Sequence, residues 1–338
     1  MKARREILPI VFGLVFLILA REIYPYAGVM VPNPIDGFEV EEIATGLGGP
    51  ACLVFHQDEL LVCDRDGGRI VTVEGEVILD GLTNPHGLVF TDDYMVVSEK
   101  GSLTRYDLDL SNKTVLVDSI KSGNHQTNAV NLLPNGTLIW HAGSTCNLCE
   151  ESDERNAALL WVDIETGDHG VLASGVRNSF DGIWVDDIGY LFSDNGQDAM
   201  GDKFPVEEVN LLVEGADYGW LVESPEDPNP VGSEAPIAWW TPHTSLNGLT
   251  TRPANFPGDN HTIYGTVYGS WATLIPRGHQ IVKIDFTNTS EGWVGEITVF
   301  ASDVGTPLPI ASGPDGNLYY GTFDHSGAVY KISPVATS

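Results

Sequence analysis

The sequence is poor in positive charge. Of its 338 residues only 17 are Lys or Arg, against 47 Asp or Glu, and the formal net charge at pH 7 is −30. A surface of this kind repels phosphate backbones, which argues against DNA or RNA as a partner. Disorder is not the reason for the acidity, because 42% of the residues are hydrophobic. Since salt screens the repulsion between acidic side chains, the composition indicates a high-salt environment.

Long hydrophobic runs are also scarce, and the single one lies at the N-terminus. Residues 7–20 are apolar, with Lys2, Arg4 and Arg5 before them and Arg21 after them. This pattern is typical of a secretory signal or signal-anchor. Fourteen residues reach only about 21 Å as a helix, which favours a signal peptide, whereas Ile18 makes a poor cleavage site and favours an uncleaved membrane anchor. In both cases we expect a domain exported to the cell surface or the extracellular space.

We therefore divide the chain into a signal or anchor segment at residues 1–21, a linker at 22–37 and one domain at 38–338. Four Asn-x-Ser/Thr triplets agree with export, although such triplets also arise by chance. They begin at Asn112, Asn135, Asn260 and Asn288.

Cysteine is scarce, but its even number suits disulfides in an oxidising compartment. Cys52 and Cys63 flank the turn at 56–59 symmetrically, which places them opposite each other on adjacent strands, where a disulfide can form. Cys146 and Cys149 could be a redox pair, half of a zinc site or a small disulfide ring. A zinc site lacks a second pair of ligands, and thioredoxin-like chemistry needs a βαβ unit, so we favour a disulfide that braces a loop.

From residue 38 onward the sequence has no convincing amphipathic helix. Short runs of Val, Ile, Leu and Tyr alternate with Gly, Asn, Asp and Pro turns, which predicts many short strands. A hairpin pattern with a polar turn starts at residues 50, 85, 128, 181 and 309. Such a repeat is typical of β-propeller blades, whereas a β-sandwich gives no reason for it.

The blade count follows from the rest of the chain. A sixth blade fits residues 263–286, with strands at 262–269 and 280–286, and a strand at 38–43 completes the last blade. The sequence thus predicts an all-β protein, a six-bladed β-propeller preceded by an apolar signal or anchor segment.

Three segments carry candidate functional residues, because loops at one mouth of a propeller converge on its axis. In the first, at 123–128, His125 could act as a general base. In the second, at 175–182, Arg177 offers planar donors for a carbonyl or carboxylate, or else forms a structural ion pair. The third, at 193–220, is rich in the oxygen ligands that Ca²⁺ prefers, although an acidic loop in so acidic a chain can be only a solvated surface.

Read together, these segments resemble the soluble pyrroloquinoline quinone (PQQ)-dependent sugar dehydrogenases, the glucose, aldose and sorbosone dehydrogenase family of six-bladed propellers. The resemblance extends from about residue 40 to the end. The matching pieces, in the family's order, are His125-Gln126, Arg177-Asn178, Asp194-Asn-Gly196, Glu208-Val-Asn210 and Tyr218-Gly-Trp220. The stretches Thr145-Cys-Asn-Leu-Cys-Glu-Glu151 and Val267-Tyr-Gly-Ser-Trp271 resemble the sorbosone branch.

The resemblance implies an oxidoreductase. It would oxidise an aldose or related sugar at the anomeric hydroxyl, passing hydride to PQQ with Ca²⁺ assistance and then electrons to an external acceptor. His125 would be the base, Arg177 would polarise the quinone carbonyl, and Asn178 would hold the cofactor. The turn from Asn195 through Gly196 to Gln197 would bind the Ca²⁺ at PQQ. Glu208 and the Tyr218 backbone would form a separate structural Ca²⁺ site.

The chain departs from the family in two places. Gly143-Ser144 stands where the glucose enzymes have Gly-Asp, so a carboxylate that would orient the base is absent. Residues 305–309 contain no Arg before the last blade, which leaves Arg277 and Lys283 as the nearest cations for the cofactor. His86 could line the same mouth as the other candidates.

These departures keep two alternatives open. One is a non-catalytic propeller that binds a ligand or protein and has lost the cofactor. The other is a Ca²⁺-dependent lactone hydrolase.

Overall fold

The computed structural model describes residues 30–270, 277–324 and 326–336. The expected signal or anchor segment at 1–21, the first half of the linker (22–29) and Trp271 lie outside the described residues. Within the described part 25 strands form six sheets and no residue is helical. That part accordingly has no helix long and apolar enough to cross a membrane.

The six sheets are the blades of a propeller, and the chain builds them in order. Two strands come first, the two-residue β1 (Asn33–Pro34) and the ten-residue β2 (Phe38–Leu47). Blade 1 has β3 (Pro50–His56), β4 (Glu59–Asp64), β5 (Arg69–Thr72) and β6 (Val77–Leu79); blade 2 has β7 (Gly87–Phe90), β8 (Tyr94–Glu99), β9 (Ser102–Asp107) and β10 (Lys113–Val117). Blade 3 has β11 (Thr127–Leu132), β12 (Leu138–Ala142), β13 (Ala158–Val162) and β14 (His169–Ser174); blade 4 has β15 (Gly182–Val185), β16 (Gly189–Asn195), β17 (Glu207–Leu211) and β18 (Ala238–Trp240). Blade 5 has β19 (Leu246–Thr251), β20 (Thr262–Val267), β21 (Gln280–Thr289) and β22 (Gly292–Ser302); blade 6 has β23 (Pro307–Ser312), β24 (Leu318–Thr322) and β25 (Gly327–Pro334).

The six-bladed propeller predicted from the hairpin repeat is confirmed. The additional blade predicted at residues 263–286 is also present and is the fifth blade in chain order. The predicted closure is also confirmed. Strand β2 is the outermost strand of blade 6, antiparallel to β25, with a register that runs from Phe38 opposite Pro334 to Leu47 opposite Gly327. Residues from the two ends of the described chain therefore share one sheet, and the ring closes without an additional latch.

The hydrophobic core is divided among the six interfaces between neighbouring blades. One buried cluster joins each pair of neighbours. Between blades 2 and 3, for example, Val96 and Leu103 pack in the same cluster as Trp140 and Leu160, all fully buried. The stability of the ring therefore depends on packing between sheets, since each sheet buries its faces only against its neighbours.

Both disulfides expected from the sequence are present. Cys52 and Cys63 are register partners on β3 and β4, with Cα atoms 4.9 Å apart. Cys146 and Cys149 are bonded across a loop that follows β12. Because their sulfurs bond to each other, the thiolate pair of a zinc site is not available there.

Candidate active site

The loop that carries His125 is an extension of the β11–β12 hairpin. The backbone N–H of Asn124 donates to Thr145 O at 2.9 Å, and the backbone N–H of His125 donates to Ser144 O at 3.2 Å. The two arms lie so close that a Cβ atom on Gly143 would be 2.6 Å from the Cβ of His125. A glycine at position 143 is therefore what allows the imidazole to occupy this place.

Arg177 lies just before β15, the inner strand of blade 4, and is 3% exposed. The Asp194 carboxylate accepts the backbone N–H groups of Arg177 and Asn178, at 3.0 and 2.7 Å, and so fixes the loop. The guanidinium donates to Asn147 O, Asn147 Oδ1, Asn195 O and Asp198 Oδ2, at 2.8 to 3.2 Å. These bonds use four of its five N–H groups and leave one on Nη1.

The side chains predicted from separate stretches of sequence meet in one polar cavity of about 400 Å³. It is lined by Asn124, His125, Arg177, Asn178, Asn195, Gly196, Asp198, Glu207, His243 and Ser245. Five of these are the predicted His125, Arg177, Asn178, Asn195 and Gly196. Sequence reasoning missed the other five, and the only signal for Asp198 and Glu207 was their position in the acidic third segment.

Burial first, and the nearby Arg177 charge second, lower the pKa of His125 to about 3. The imidazole is therefore neutral at ordinary pH and can accept a proton. Its Nδ1 is 2.8 Å from Ser144 Oγ. Among the described residues no group bonds Nε2, which leaves that nitrogen as the one available to a molecule in the cavity.

Two buried acceptor oxygens in the Asn195–Gln197 turn receive no hydrogen bond from any described residue. They are Asn195 Oδ1 and Gln197 Oε1, and both side chains are at most 5% exposed. The turn is packed tightly, because a Cβ on Gly196 would be 2.2 Å from the Pro205 ring. Unpaired buried oxygens are costly, whereas a hard cation such as Ca²⁺ would satisfy them, so this turn fits the predicted ion.

A second oxygen-rich group lies around Glu208. Glu208 is on the face of β17 opposite to that of Glu207, which lines the cavity. Glu208 is the register partner of Asp194, and Asn210 Nδ2 donates to Glu208 Oε2 at 3.1 Å. The Oδ1 of Asn210 is buried and has no hydrogen-bond partner within the described part of the chain. Burial, reinforced by the Asp194 charge, holds the pKa of Glu208 well above its usual range. Burial also raises the pKa of Glu223, beside Asp194, to about 7. Carboxylates crowded in this way fit a cation between them.

Tyr218 lies on the same side of the sheet as Glu208. Its ring packs edge-on against Phe192 with ring centroids 4.9 Å apart, and Phe192 is the register partner of Asn210. Its hydroxyl donates to Leu211 O at 2.7 Å. The side chain thus anchors the loop, which leaves only the Tyr218 backbone for the metal contact that the resemblance implies.

His86 and Arg277 lie outside the cavity. His86 is buried in the central channel, where a separate cavity of about 300 Å³ is lined by the inner strands. Its Nδ1 is 3.1 Å from Asn128 Oδ1, and Asn128 Nδ2 donates to Asn178 Oδ1 at 3.3 Å, so one residue links it to the cavity. Arg277 is exposed in the structure and does not line the cavity.

The disulfide loop holds Arg177 from outside the cavity. Within it, Asn147 accepts two bonds from the guanidinium, and its carbonyl also accepts the Trp220 indole N–H at 3.2 Å. Asn147 Oδ1 accepts the Asp198 amide at 2.8 Å as well. A single asparagine thus holds both the guanidinium of Arg177 and the backbone of its ion-pair partner Asp198.

Comparison with other sequences gives no assigned function. No family model matches the chain. An uncharacterised protein of Borreliella burgdorferi is 28% identical over 225 residues, which cover 59% of this chain and 57% of that protein. An uncharacterised protein of Synechocystis is 27% identical over 139 residues, which cover 37% of this chain and 31% of that protein. Each match thus spans less than two thirds of the relative.

Comparison with solved structures shows the fold. The holo PQQ domain of pyranose dehydrogenase from Coprinopsis cinerea aligns with a TM-score of 0.73 at 18% identity, covering 90% of this chain and 98% of that domain. The apo soluble aldose sugar dehydrogenase of Escherichia coli gives 0.69 at 17% identity, covering 88% and 100%. The PQQ-bound aldose sugar dehydrogenase of Streptomyces coelicolor gives 0.67 at 18% identity, covering 89% and 100%. At identities of 17–18% these likenesses show the fold alone.

Proposed function

We propose that the protein is a PQQ- and Ca²⁺-dependent sugar dehydrogenase that oxidises an aldose or related sugar at its anomeric hydroxyl. One observation carries the proposal: His125, Arg177, Asn178 and the turn at Asn195 and Gly196 line a single cavity. Solved structures of the same fold, described as PQQ-bound or holo sugar-oxidising enzymes, support it.

In this function His125 is the general base. The Nε2 atom of its neutral imidazole would accept the proton of the anomeric hydroxyl, while a hydride leaves the carbon that bears this hydroxyl. Bound PQQ would supply the two-electron acceptor for that hydride. Arg177 lies in the same cavity with one N–H group to spare, and its positive charge would stabilise negative charge that develops beside it. Asn178 offers an amide for orienting the bound molecules.

Ca²⁺ would occupy the two oxygen-rich positions. At the turn, the ligands would be the carbonyls of Gly196 and Gln197, with the unpaired side-chain oxygen of Asn195 nearby. At the second position they would be Glu208 and the Tyr218 backbone. Among the described residues that line the cavity Arg177 is the one Lys or Arg, so an acidic cofactor depends on added cations for charge balance. We therefore expect PQQ uptake to require Ca²⁺.

The remaining parts of the proposal concern location. We place the activity outside the cytoplasm, in the extracellular space or at the cell surface, with an external electron acceptor. The two disulfides support this, because they persist in oxidising compartments.

The test uses purified protein with PQQ and Ca²⁺ in high salt. We expect PQQ uptake that EDTA abolishes, and dye reduction with aldoses. In His125→Gln, kcat should fall by about 10²–10⁴-fold with PQQ uptake unchanged, because general base catalysis contributes about that much. His169→Gln is the matched control, since His169 lies on the outer strand β14, and it should change neither quantity.

Two outcomes contradict the proposal. No PQQ uptake at micromolar concentration with Ca²⁺ present indicates a non-catalytic binding propeller. Lactone hydrolysis that needs Ca²⁺ but not PQQ indicates a hydrolase.

A further inference from the structure

The hydroxyl of Ser144 links the His125 ring to the disulfide loop. Ser144 is fully buried. Its Oγ donates to the carbonyl oxygen of Cys146 at 2.8 Å and lies 2.8 Å from His125 Nδ1. A hydroxyl has one proton, and a carbonyl oxygen can only accept. Because the Ser144 proton goes to Cys146, Oγ must accept from His125, which puts the imidazole proton on Nδ1.

We propose that Ser144 is a positioning residue that holds His125 in the Nδ1–H tautomer, with the Cys146–Cys149 loop as its anchor. The catalytic consequence rests on the proposed function: this tautomer leaves the Nε2 lone pair free to take the proton of a substrate. In the sequence, position 144 stands out only as the place where an orienting carboxylate is absent. A neutral hydroxyl fixes the direction of the ring without adding charge to the cavity.

The anchor is held from two sides. The disulfide closes the loop between residues 146 and 149. Inside the loop Asn147 accepts the Arg177 guanidinium and the Trp220 indole, and its Nδ2 donates to Asp198 O at 3.2 Å. The Cys146 carbonyl therefore has little freedom to turn away from Ser144, and the direction of the hydroxyl proton is set by covalent and hydrogen-bonded neighbours.

A second Ser–His pair in the same blades provides an internal control. His141 Nδ1 is 2.7 Å from Ser179 Oγ, and its Nε2 is 2.7 Å from Tyr190 Oη. Tyr190 donates its own proton to Asn131 Oδ1 at 2.6 Å. Its oxygen must then accept from His141 Nε2–H, and Nδ1 accepts from Ser179. The same two residue types thus give the opposite tautomer, because here a third group, Tyr190, accepts the Nε2 proton and leaves Nδ1 to accept from the serine hydroxyl.

The test is the tautomer itself, read by two-bond ¹H–¹⁵N NMR of ¹⁵N-histidine-labelled protein at neutral pH without PQQ. The His125 signals are assigned by their loss in His125→Gln. We expect the proton on Nδ1 of His125 and on Nε2 of His141. Ser144→Ala should release the Nδ1–H tautomer of His125 and leave His141 unchanged, Ser144→Thr should retain it, and Ser179→Ala should affect only His141.

In the PQQ-loaded enzyme, Ser144→Ala should lower kcat by about 10- to 100-fold with little change in KM, because misorientation of a catalytic group costs about that much. Ser144→Thr should recover most of the loss. A proton on Nε2 of His125 in the wild-type protein overturns the proposal, as does a Ser144→Ala spectrum with the His125 tautomer unchanged. If Ser144→Ala does not fold, the wild-type and Ser144→Thr spectra still decide. A protein that takes up no PQQ but shows Nδ1–H at His125 refutes the proposed function and leaves the tautomer assignment intact.

Discussion

Single buried side chains set much of the chemistry of this molecule, and histidine shows it best. Three histidines are held neutral by burial, which lowers the pKa of His86 to about 4 and those of His125 and His141 to about 3. Of these three, only His125 lines the polar cavity. His86 and His141 therefore report on the cost of burying an imidazole, separately from any catalytic role.

The lowered pKa of His141 predicts that the stability of the protein depends on pH. The folded-state pKa of His141 lies below the unfolded value of about 6.5, so between pH 6.5 and about pH 3 the unfolded chain binds more protons than the folded one. The His141 contribution to stability is therefore lost as the pH falls below about 6.5. His141→Gln keeps polar atoms for Ser179 and Tyr190 but does not titrate.

We expect the free energy of unfolding of wild type, relative to His141→Gln, to fall as the pH drops from 7 to 4. The expected change is at most about 1.4 kcal/mol per pH unit. Denaturant titrations of both proteins measure it, and comparison of the two removes the titration of the acidic side chains. A difference that does not vary with pH would show that burial does not lower the pKa of His141 in the folded protein.

At the residue scale the sequence predicted which side chains meet better than how they bond. His125 and Arg177 are predicted from their places in two loops, because a propeller brings such loops to one mouth, and Asn178 follows from the family resemblance. The bonds of Ser144 depend on where the Cys146 carbonyl points, which no local pattern encodes. Side-chain alternation likewise puts the neighbours Glu207 and Glu208 on opposite faces of β17, and only the structure tells which of them faces the cavity.

At the scale of elements, the two disulfides do different work. Cys52–Cys63 closes a segment with a sequence separation of 11 and joins two strands of blade 1, and neither cysteine lines the polar cavity. Cys146–Cys149 spans a separation of only 3, in the loop that contacts both Ser144 and Arg177. Chain entropy favours the longer loop as the larger stabiliser.

We therefore expect removal of one disulfide to affect mainly stability and removal of the other to affect mainly kcat. The Cys52→Ala/Cys63→Ala variant should lose about 2–4 kcal/mol of unfolding free energy with kcat little changed. The Cys146→Ala/Cys149→Ala variant should lose less stability but lower kcat by about 10-fold or more, because the loop no longer fixes two groups of the cavity. Denaturant unfolding and steady-state kinetics of both variants measure the effects. Equal kinetic losses in the two variants would contradict a positioning role for the shorter loop.

Elements were the most predictable level. Alternating apolar residues between Gly, Asn and Asp turns define each hairpin locally, so five repeats, the divergent blade and the closing strand followed from sequence. Strand β1 was not predicted, because its two residues, Asn33 and Pro34, pair only with the end of β22. A pairing that short has no periodicity from which to read it.

On the scale of the whole molecule, the chain that forms this closed ring carries a large excess of negative charge. The packing between blades is apolar, so the acidic side chains lie mainly on the outside, where they repel one another. At 0.1 M salt charges interact over about 10 Å, and at 1 M over about 3 Å. Self-repulsion therefore opposes folding most in dilute solution. The high-salt environment inferred from composition stays a prediction, and this repulsion is its physical basis.

Stability should accordingly rise with salt, and charge neutralisation should reduce the rise. We expect the Tm at constant Ca²⁺ to increase between 0.1 and 2 M NaCl as the Debye length shortens. A triple variant, Glu39→Gln/Glu74→Gln/Glu76→Gln, removes exposed carboxylates from β2 and the β5–β6 turn. It should be more stable than wild type at 0.1 M and converge with it at 2 M, because screening removes the repulsion that the variant lacks. NaCl is preferred to sulfate, which would also strengthen apolar burial. If the two proteins keep the same Tm difference at every NaCl concentration, repulsion among surface carboxylates is not what the salt relieves.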